Sequence, residues 1–358
     1  MFGSNHYIPI LKWKGAEQQA LQKLTVSEKK FITPLIQIIM PTPKLLNKEG
    51  KSKTQSDLLD ESLTLFKAKL PEISEQILKY WGETPAFIDL SLIDSTMRKV
   101  AFSNILKSGK KLNLFLIPVV RLNSDILTQE LVISLSKVNK SGLCLRLFRT
   151  DFTDQKLLEN KIDKFLSEHK LSEKEVDILV DFQITDGQCL KLKDICQQIP
   201  NIQKWRTFTF ASGSFPTDLN ECTLGKNYIE RSDWNYWLRQ TKPGKLSRTP
   251  SFSDYTIQHP IHIPSYQFFL PSASIRYTLG EKWLVMRGQK RKYVQYLANA
   301  QLLSKEPEFF GSKFSYGDAY IEEKGKNLKG KPGNATTWLV AGFNHHLVCT
   351  VSQLANLS

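Results

Sequence analysis

The fold class is decided by one stretch, Ile32-Thr33-Pro34-Leu35-Ile36-Gln37-Ile38-Ile39, and by others of its kind along the chain. The stretch is almost continuously apolar and shows no alternation between apolar and polar side chains. Strands read this way when helices cover both faces of their sheet, because neither face then meets water. The stretch therefore predicts a strand of a parallel sheet.

The same pattern recurs, and each apolar strand candidate is followed by a segment with apolar residues at helical spacing. Strands are predicted at residues 7–14, 32–39, 86–90, 112–120, 143–148, 176–182, 205–211 and 251–259, and helices at residues 16–24, 58–80, 98–108, 124–138, 154–169, 187–199 and 219–241. The alternation implies parallel strands joined by crossover helices and fits an α/β fold of the (β/α)8, TIM-barrel-like class. An open, doubly wound sheet is the alternative, although no Gly-x-Gly-x-x-Gly sequence follows the first strand.

The rhythm changes near residue 260. Residues 260–264 and 273–278 read as extended, and residues 282–287 would pair with the latter as a hairpin that turns at Gly280. Helices are predicted over residues 294–303 and 336–354. We therefore predict a (β/α)8-type barrel over residues 1–260 and a C-terminal α+β elaboration over residues 261–358, packed on the barrel as one structural unit.

The chain of 358 residues carries 49 basic and 35 acidic side chains, which gives a formal net charge of +14. This excess favours a polyanionic partner, such as nucleic acid, a nucleotide or an acidic protein. A basic, well-solvated surface is the alternative, because lysine greatly outnumbers arginine and no long basic run occurs.

The compartment is indicated by cysteine usage and by the chain start. The five cysteines are scattered, with no pair at metal-ligand spacing, which is typical of reduced thiols in the cytoplasm. The start lacks the pattern of a signal peptide, and no apolar run approaches the roughly 20 residues that a membrane helix needs. We expect a cytoplasmic protein without a membrane segment.

Several short pieces along the chain form a recognisable series. In the C-terminal third they are Ser253-Asp254-Tyr255-Thr256-Ile257, Ile275-Arg276-Tyr277-Thr278, Trp283 with Arg287-Gly288, Phe314-Ser315-Tyr316-Gly317-Asp318, and Thr337-Trp338 with Asn344-His345-His346; near the start they are Tyr7-Ile8-Pro9-Ile10-Leu11-Lys12, Glu17 and Pro34-Leu35. In this order they resemble the phage and bacterial beta-protein family over essentially the whole chain, with Ser253 where glycine is expected before Asp-Tyr. The resemblance implies a role in phage–host conflict, as defence or counter-defence, and it supplies no established catalytic residues.

In a parallel barrel the functional face is the carboxyl end of the strands. The polar residues predicted there are Lys12, Lys14, Asp89, Ser91, Arg121, Arg146, Arg149, Asp181, Gln183, Ser212, Ser214 and Asp254. Asp89 and Asp181 stand in apolar strands, so each needs a partner such as Arg146 or has a shifted pKa, and either is typical of a site. We select these two as catalytic candidates, and Lys12, Lys14 and Arg146 as phosphate-binding candidates. A structural ion pair that closes the barrel mouth is the alternative.

His345 and His346 are the other catalytic candidates, because adjacent histidines in an apolar run need buried partners. With His259, His262 and Asp254 or Asp318 they could supply metal ligands. Neighbouring residues point in different directions, however, and cannot easily share one ion. We therefore predict no metal ligand set and leave the cofactor unassigned; structural histidines with satisfied hydrogen bonds are the alternative.

Basic and aromatic residues are interleaved in the predicted hairpin. Aromatic rings can stack on bases while cations contact phosphates. Arg276, Arg287 and Asp318 are the candidates for nucleic-acid or phosphate binding in this part of the chain. A solvated hairpin with extended lysines is the alternative, and we favour that interpretation for residues 324–331.

Three functional hypotheses follow. The first is a protein of phage–host conflict that binds nucleic acid or a nucleotide through the carboxyl end of the barrel and the basic hairpin. The second is a barrel hydrolase that acts on phosphate esters, with Asp89, Asp181 and a histidine as its reactive groups. The third is a non-enzymatic module that binds a protein encoded by a phage or a defence operon. The sequence leaves open whether the protein is an enzyme.

A last expectation concerns residues 314–351. Their helical apolar stripe must pack somewhere, and we predict that the segment folds over the barrel mouth and brings His345 or His346 close to Arg276 and Asp318. The alternative is a helix of the outer ring with both histidines in water.

Overall fold

The structure is a computed structural model that describes residues 2–46, 50–185, 191–262 and 271–357. Its strands are β1 (Ile10–Lys12), β2 (Leu35–Ile39), β3 (Ala86–Leu92), β4 (Leu116–Val120), β5 (Leu143–Phe148), β6 (Val176–Ile184), β7 (Thr207–Gly213), β8 (Gly225–Glu230), β9 (Ser251–Ser253), β10 (Ile275–Thr278) and β11 (Lys282–Arg287). Its helices are α1 (Gly15–Gln22), α2 (Val26–Lys29), α3 (Gln55–Lys69), α4 (Ile73–Tyr80), α5 (Ser95–Lys111), α6 (Ile126–Asn139), α7 (Gln155–His169), α8 (Leu192–Gln198), α9 (Ser232–Gln240), α10 (Gln295–Leu303), α11 (Tyr316–Lys326) and α12 (Ala335–Ala355).

The main sheet is an 8-stranded parallel sheet in the order β1-β2-β3-β4-β5-β6-β7-β9. Its two ends meet, because the backbone N–H of Ile8 donates to the carbonyl of Phe252 at 3.0 Å and that of Ile10 donates to the carbonyl of Asp254 at 2.8 Å. The sheet is therefore a barrel of the TIM-barrel type. The predicted fold class is confirmed, and the alternative of an open sheet is wrong.

The barrel strands bury both faces, as their apolar sequences predict. Alternate residues point inward and form one apolar cluster, which includes Ile10, Leu35, Phe87, Val119 and Leu179. The residues between them point outward and pack against the helices in a second, larger cluster. This two-sided burial explains why the strands show no apolar–polar alternation.

A second sheet of 3 strands, in the order β10-β11-β8, is antiparallel. The predicted hairpin is confirmed, since Arg276 lies opposite Val285 and Thr278 opposite Trp283. The helix predicted over residues 219–241 is wrong in its first half, where β8 pairs with β11. Side chains of β8 alternate between exposed and half-buried, a period of two that the helical interpretation overlooked.

Other boundaries differ from the predictions for local reasons. The helix predicted over residues 58–80 is divided into α3 and α4 by a short 3-10 turn that contains Pro71, which cannot donate a backbone hydrogen bond. The helix predicted from residue 187 is described only from Leu192, and residues 263–264 of the predicted extended segment lie outside the described residues. The predicted helices near residues 294–303 and 336–354 are confirmed as α10 and α12.

Helix α12 closes the fold. The side chain of Asn334 caps it by accepting from the backbone N–H of Thr337 at 3.1 Å. It packs against α1, α11 and β10, and its apolar side chains Phe343 and Leu347 join the outer cluster that also contains Tyr7 and Leu11. The helix therefore lies in the outer ring, which was the alternative to a segment folded over the barrel mouth. Its two histidines are buried, however, and not in water as that alternative supposed. Among the described residues, no helix is long and apolar enough to cross a membrane.

Candidate functional site

Inward-facing polar side chains occupy the carboxyl end of the barrel. Arg146 of β5 lies between Asp89 of β3 and Asp181 of β6 and forms ion pairs with both. Its Nε donates to Oδ2 of Asp181 at 3.0 Å, and Nη2 donates to the hydroxyl of Tyr255 at 2.9 Å. The Tyr255 hydroxyl in turn donates to Asp181 at 2.6 Å. All four side chains are almost fully buried, so the predicted partnership of Asp89 and Asp181 with Arg146 is present.

The charges of this group stabilise one another. Burial alone would raise the pKa of Asp89, but Arg146 and Arg121 outweigh it and hold that pKa below its usual range. Burial and the neighbouring Asp181 raise the pKa of Tyr255 well above its usual value, so this residue stays a hydrogen-bond donor. Asp89 is therefore held ionised at neutral pH. Catalytic roles for Asp89 and Asp181 stay predictions.

Lys12 and Glu17 lie beside this group, at the end of β1 and in the first turn of α1. Lys12 Nζ donates to the carbonyl of His259 at 2.8 Å, while Glu17 accepts from Gln258 at 3.2 Å. Burial, together with the nearby Lys14, lowers the pKa of Lys12 to about 8, and burial raises the pKa of Glu17 to about 7. Lys14 itself is exposed.

Several buried polar atoms at this end of the barrel have no hydrogen-bond partner among the residues that the structure describes. They lie in, or directly after, four different strands: Oε1 of Gln37 in β2, Oγ of Ser91 in β3, Nε of Arg121 after β4 and Oγ1 of Thr185 after β6. Buried polar atoms are nearly always paired in folded proteins. Their convergence on one end of the barrel indicates a surface that can take up a polar ligand.

His345 lies between α12, α11 and β10. Its Nδ1 is 2.8 Å from Oδ2 of Asp318 and its Nε2 is 2.7 Å from the carbonyl of Thr278, so both ring nitrogens have a polar partner. The ring of Tyr277 stacks on the imidazole at 3.8 Å, and its hydroxyl donates to Asp318 at 2.7 Å. The expected contact between His345 and Asp318 is confirmed.

His346 points away from its neighbour, as predicted, and contacts the barrel wall. Its Nε2 donates to Asp254 at 3.0 Å, and its Nδ1 is 2.8 Å from the hydroxyl of Thr278. Tyr7 donates to the other oxygen of Asp254 at 2.5 Å. Burial lowers the pKa of His346, while His346 and Arg231 overcome the effect of burial on Asp254 and lower the pKa of that carboxyl. The histidines are thus buried and not in water, and His346 contacts Asp254 directly after the carboxyl end of β9.

Arg276 and Arg287 lie on one face of the β10–β11 hairpin, since Arg276 is opposite Val285, two residues before Arg287. They line a cavity of about 300 Å³ together with Lys290, Ser272, Ser274, Thr217, Asp218, Asn220 and Tyr296. Arg287 donates to the hydroxyl of Ser272 at 2.5 Å. Arg276 donates to the carbonyl of Ile257 at 2.6 Å.

We name this cavity the hairpin pocket. Its lining carries more positive than negative charge, with Arg276, Arg287 and Lys290 against Asp218. Burial and the neighbouring Arg287 lower the pKa of Arg276 to about 10. Among the described residues, neither guanidinium forms an ion pair with a carboxylate. An anion in the pocket would offset the cost of burying Arg276 and its repulsion by Arg287.

The candidates from sequence thus form three groups. Lys12, Asp89, Arg146 and Asp181 meet at the barrel mouth, with Lys14 exposed nearby. Arg276 and Arg287 meet in the hairpin pocket. Asp318, His345 and His346 hold α12 against β10 and the barrel wall. Within the described ranges, no group of His, Cys, Asp or Glu side chains is placed to hold a metal ion.

Glu17, Tyr255 and Thr185 were not selected from the sequence as site residues, whereas Ser91 was placed at this end of the barrel. For Glu17 the sequence signal was its place as an acid in the first turn of the helix after β1; its almost complete burial is seen only in the structure. No sequence signal indicated the role of Tyr255 in the site, because that role depends on how the chain turns inward after β9.

Comparison with known proteins gives a family. The family model described as Beta protein matches residues 7–352. The chain belongs to the Beta protein family. A search of curated proteins found no match.

Solved structures resemble this member of the Beta protein family only distantly. A type I 3-dehydroquinate dehydratase from Clostridium difficile has a TM-score of 0.41 at 9% identity, over 72% of this chain and 87% of that one. A mutant tryptophan synthase α-subunit from Pyrococcus furiosus has a TM-score of 0.40 at 13% identity, over 71% of this chain and 88% of that one. Likenesses of this size carry no argument about what the present protein does.

Proposed function

We propose that this chain binds a phosphate-bearing ligand, nucleic acid or a nucleotide, through the hairpin pocket and the adjoining carboxyl end of the barrel. The setting would be phage–host conflict, as the family resemblance implies. The observation that carries the proposal is the pair Arg276 and Arg287, which line one pocket and form no ion pair among the described residues, although Asp218 lies in the same lining.

Two cations on one hairpin face repel each other, and burial adds to the cost. Both effects act on Arg276 and lower its pKa to about 10. A phosphate group offsets this cost, because the planar guanidinium donates two parallel hydrogen bonds to phosphate oxygens. The hydroxyls of Ser272 and Ser274 and the amide of Asn220 line the same pocket and supply neutral donors.

The rest of the molecule favours the approach of such a ligand. The net charge of +14 attracts polyanions over long range. At the barrel mouth, the buried amine of Lys12 and the Nε of Arg121, which has no partner among the described residues, add donors. Each charge-assisted hydrogen bond contributes roughly 1.5–3 kcal/mol, so loss of one arginine should weaken binding at least tenfold.

Fluorescence anisotropy with labelled single-stranded DNA and RNA, and with a labelled nucleotide, tests the proposal across a salt series. We expect at least one of these ligands to bind at low salt and to weaken as salt rises, because phosphate contacts release counterions. Arg287→Ala should reduce both the affinity and the salt dependence. Arg239→Ala, which removes the same charge from the exposed face of α9, is the matched control and should change neither. Absence of binding by all of the ligands at low salt would overturn the proposal.

A further inference from the structure

A second cavity, of about 680 Å³, lies beside the hairpin pocket at the carboxyl ends of β6 and β7. Both cavities are lined by Thr217 and Asp218, which stand between them. Phe215 lines the second cavity, and the guanidinium of Arg276 lies 4.7 Å from the centre of its ring. The two cavities therefore share a wall formed by residues of both.

The linings of the two cavities differ in chemistry. The hairpin pocket holds Arg276, Arg287 and Lys290. The described lining of the second cavity contains no lysine or arginine; it offers the exposed ring of Tyr228, the hydroxyls of Ser214 and Thr217, and the carboxylate of Glu221, while Asp218 lines both cavities. Rings stack on planar groups, while hydroxyls and carboxylates bind hydroxyl and amino groups. This set suits an uncharged ring system with hydroxyls better than a phosphate, because the arginines line only the hairpin pocket.

We propose that the two cavities together bind one mononucleotide, with its phosphate between Arg276 and Arg287 and its nucleoside in the second cavity. The inference rests on the proposed function and narrows its ligand class. Each cavity has a volume within or near the range of small-molecule sites, about 300–1,000 Å³. Internal nucleotides of a strand carry a phosphate on both sides, and the second of these would meet Glu221 in a cavity without arginine or lysine. A free nucleotide avoids that repulsion.

Cys222 provides a probe of occupancy. Its half-buried thiol lines the second cavity, and it is close enough to Arg287 and Arg276 to feel their charge. A nucleoside in this cavity should shield the thiol from alkylation. Inorganic phosphate in the hairpin pocket should shield it far less.

The experiment measures the alkylation rate of Cys222 in the full chain by iodoacetamide, read from its peptide by mass spectrometry. The probes are the four ribonucleoside 5′-monophosphates, the matching nucleosides and inorganic phosphate. We expect at least one monophosphate to protect Cys222 at a concentration tenfold or more below that needed for its nucleoside or for phosphate. Arg287→Ala, with Arg287→Gln as a second variant, should remove the advantage of the monophosphate over its nucleoside, and Arg239→Ala should not.

Two outcomes separate this inference from the proposed function. If no monophosphate protects better than inorganic phosphate, while labelled strands bind with salt dependence in the anisotropy assay, the mononucleotide inference is wrong and the proposed function stands. If no phosphate-bearing ligand protects Cys222 and none binds at low salt, both are wrong. Glu221→Gln refines the positive result, since it should change the preference among nucleosides and leave the affinity for inorganic phosphate unaltered.

Discussion

At the scale of single residues, Arg146 is the side chain on which the barrel mouth depends. It is buried between Asp89 and Asp181, and removing it would break both buried ion pairs and leave Arg121 as the remaining cation near the two carboxylates. Breaking a buried ion pair in this way costs roughly 3–5 kcal/mol. We expect Arg146→Met to lower the free energy of unfolding by about this amount, as measured in urea.

The matched control replaces the whole group. Arg146→Met combined with Asp89→Asn and Asp181→Asn removes both carboxylates together with their cation, and it should recover most of the lost stability. If Arg146→Met alone costs less than about 1 kcal/mol, the group does not hold the mouth together as described.

Glu17 makes a second residue-scale prediction, about pH. Burial raises its pKa from 4.5 to about 7 in the folded chain. Between these values the unfolded chain has released the proton and the folded chain has kept it, so stability falls as pH rises from 4.5 to 7 and levels off above. The size of the effect is about 3 kcal/mol.

Glu17→Gln should remove this dependence and retain the hydrogen bond with Gln258. The difference in stability between the two proteins, followed by urea unfolding from pH 4.5 to pH 7, isolates the effect from other titrating groups. Glu83→Gln, at an exposed glutamate, is the control and should give a flat difference. A flat difference for Glu17→Gln as well would show that its carboxyl is not desolvated.

The sequence predicted part of this residue-scale picture. Charged residues in apolar, inward-facing strand positions must find each other, which is why Asp89, Asp181 and Arg146 could be selected. The contact between Tyr7 and Asp254 could not be, because those residues are 247 positions apart and meet only when the barrel closes. The contact between Lys12 and a backbone carbonyl depends in the same way on the course of a loop.

At the scale of elements, the close approach of α11 and α12 fixes the C-terminal part of the fold. Gly317 permits it: a Cβ at this position would lie 2.2 Å from the carbonyl oxygen of Ala341 and 3.1 Å from Cβ of His345. One obstacle is a backbone oxygen of α12 and the other is a Cβ, and neither can move without the helix. The two helices would therefore have to separate. The contact of His345 with Asp318, which spans the two helices, would lengthen with them.

We therefore expect Gly317→Ala to destabilise the protein by about 1–3 kcal/mol, as overpacking usually does. Urea unfolding gives the cost, and hydrogen exchange should show faster opening of α12. Gly280→Ala is the control, because a Cβ there meets nothing within 4 Å. Equal stability of the two variants would contradict the close packing of α11 on α12.

Elements with one clear periodicity were predictable, and β8 was not. Continuous apolar runs predict the barrel strands, and a long segment with an apolar stripe predicts α12. Strand β8 has exposed side chains at every second position, so its stability comes from pairing with β11, more than 50 residues later in the chain. A segment of this kind resembles a helix or a loop until its partner is known.

At the scale of the whole molecule, the barrel and the antiparallel sheet place cations and cavities on adjoining surfaces. The hairpin pocket carries the arginines, and the second cavity, at the ends of β6 and β7, carries an exposed ring, hydroxyls and carboxylates. Composition predicted an anionic partner from a net charge of +14, but charge alone could not locate the site. The location follows from the way β10 and β11 pair and face the barrel.

The most direct measurement is a crystal structure of the protein with the nucleoside monophosphate that protects Cys222 best, at a concentration set by solution titration. The predicted result is a phosphate group within hydrogen-bond distance of the guanidinium groups of both Arg276 and Arg287, with the nucleoside beside Phe215 and Tyr228. A phosphate bound instead at Lys12 and Arg121, with the hairpin pocket empty, would contradict the account.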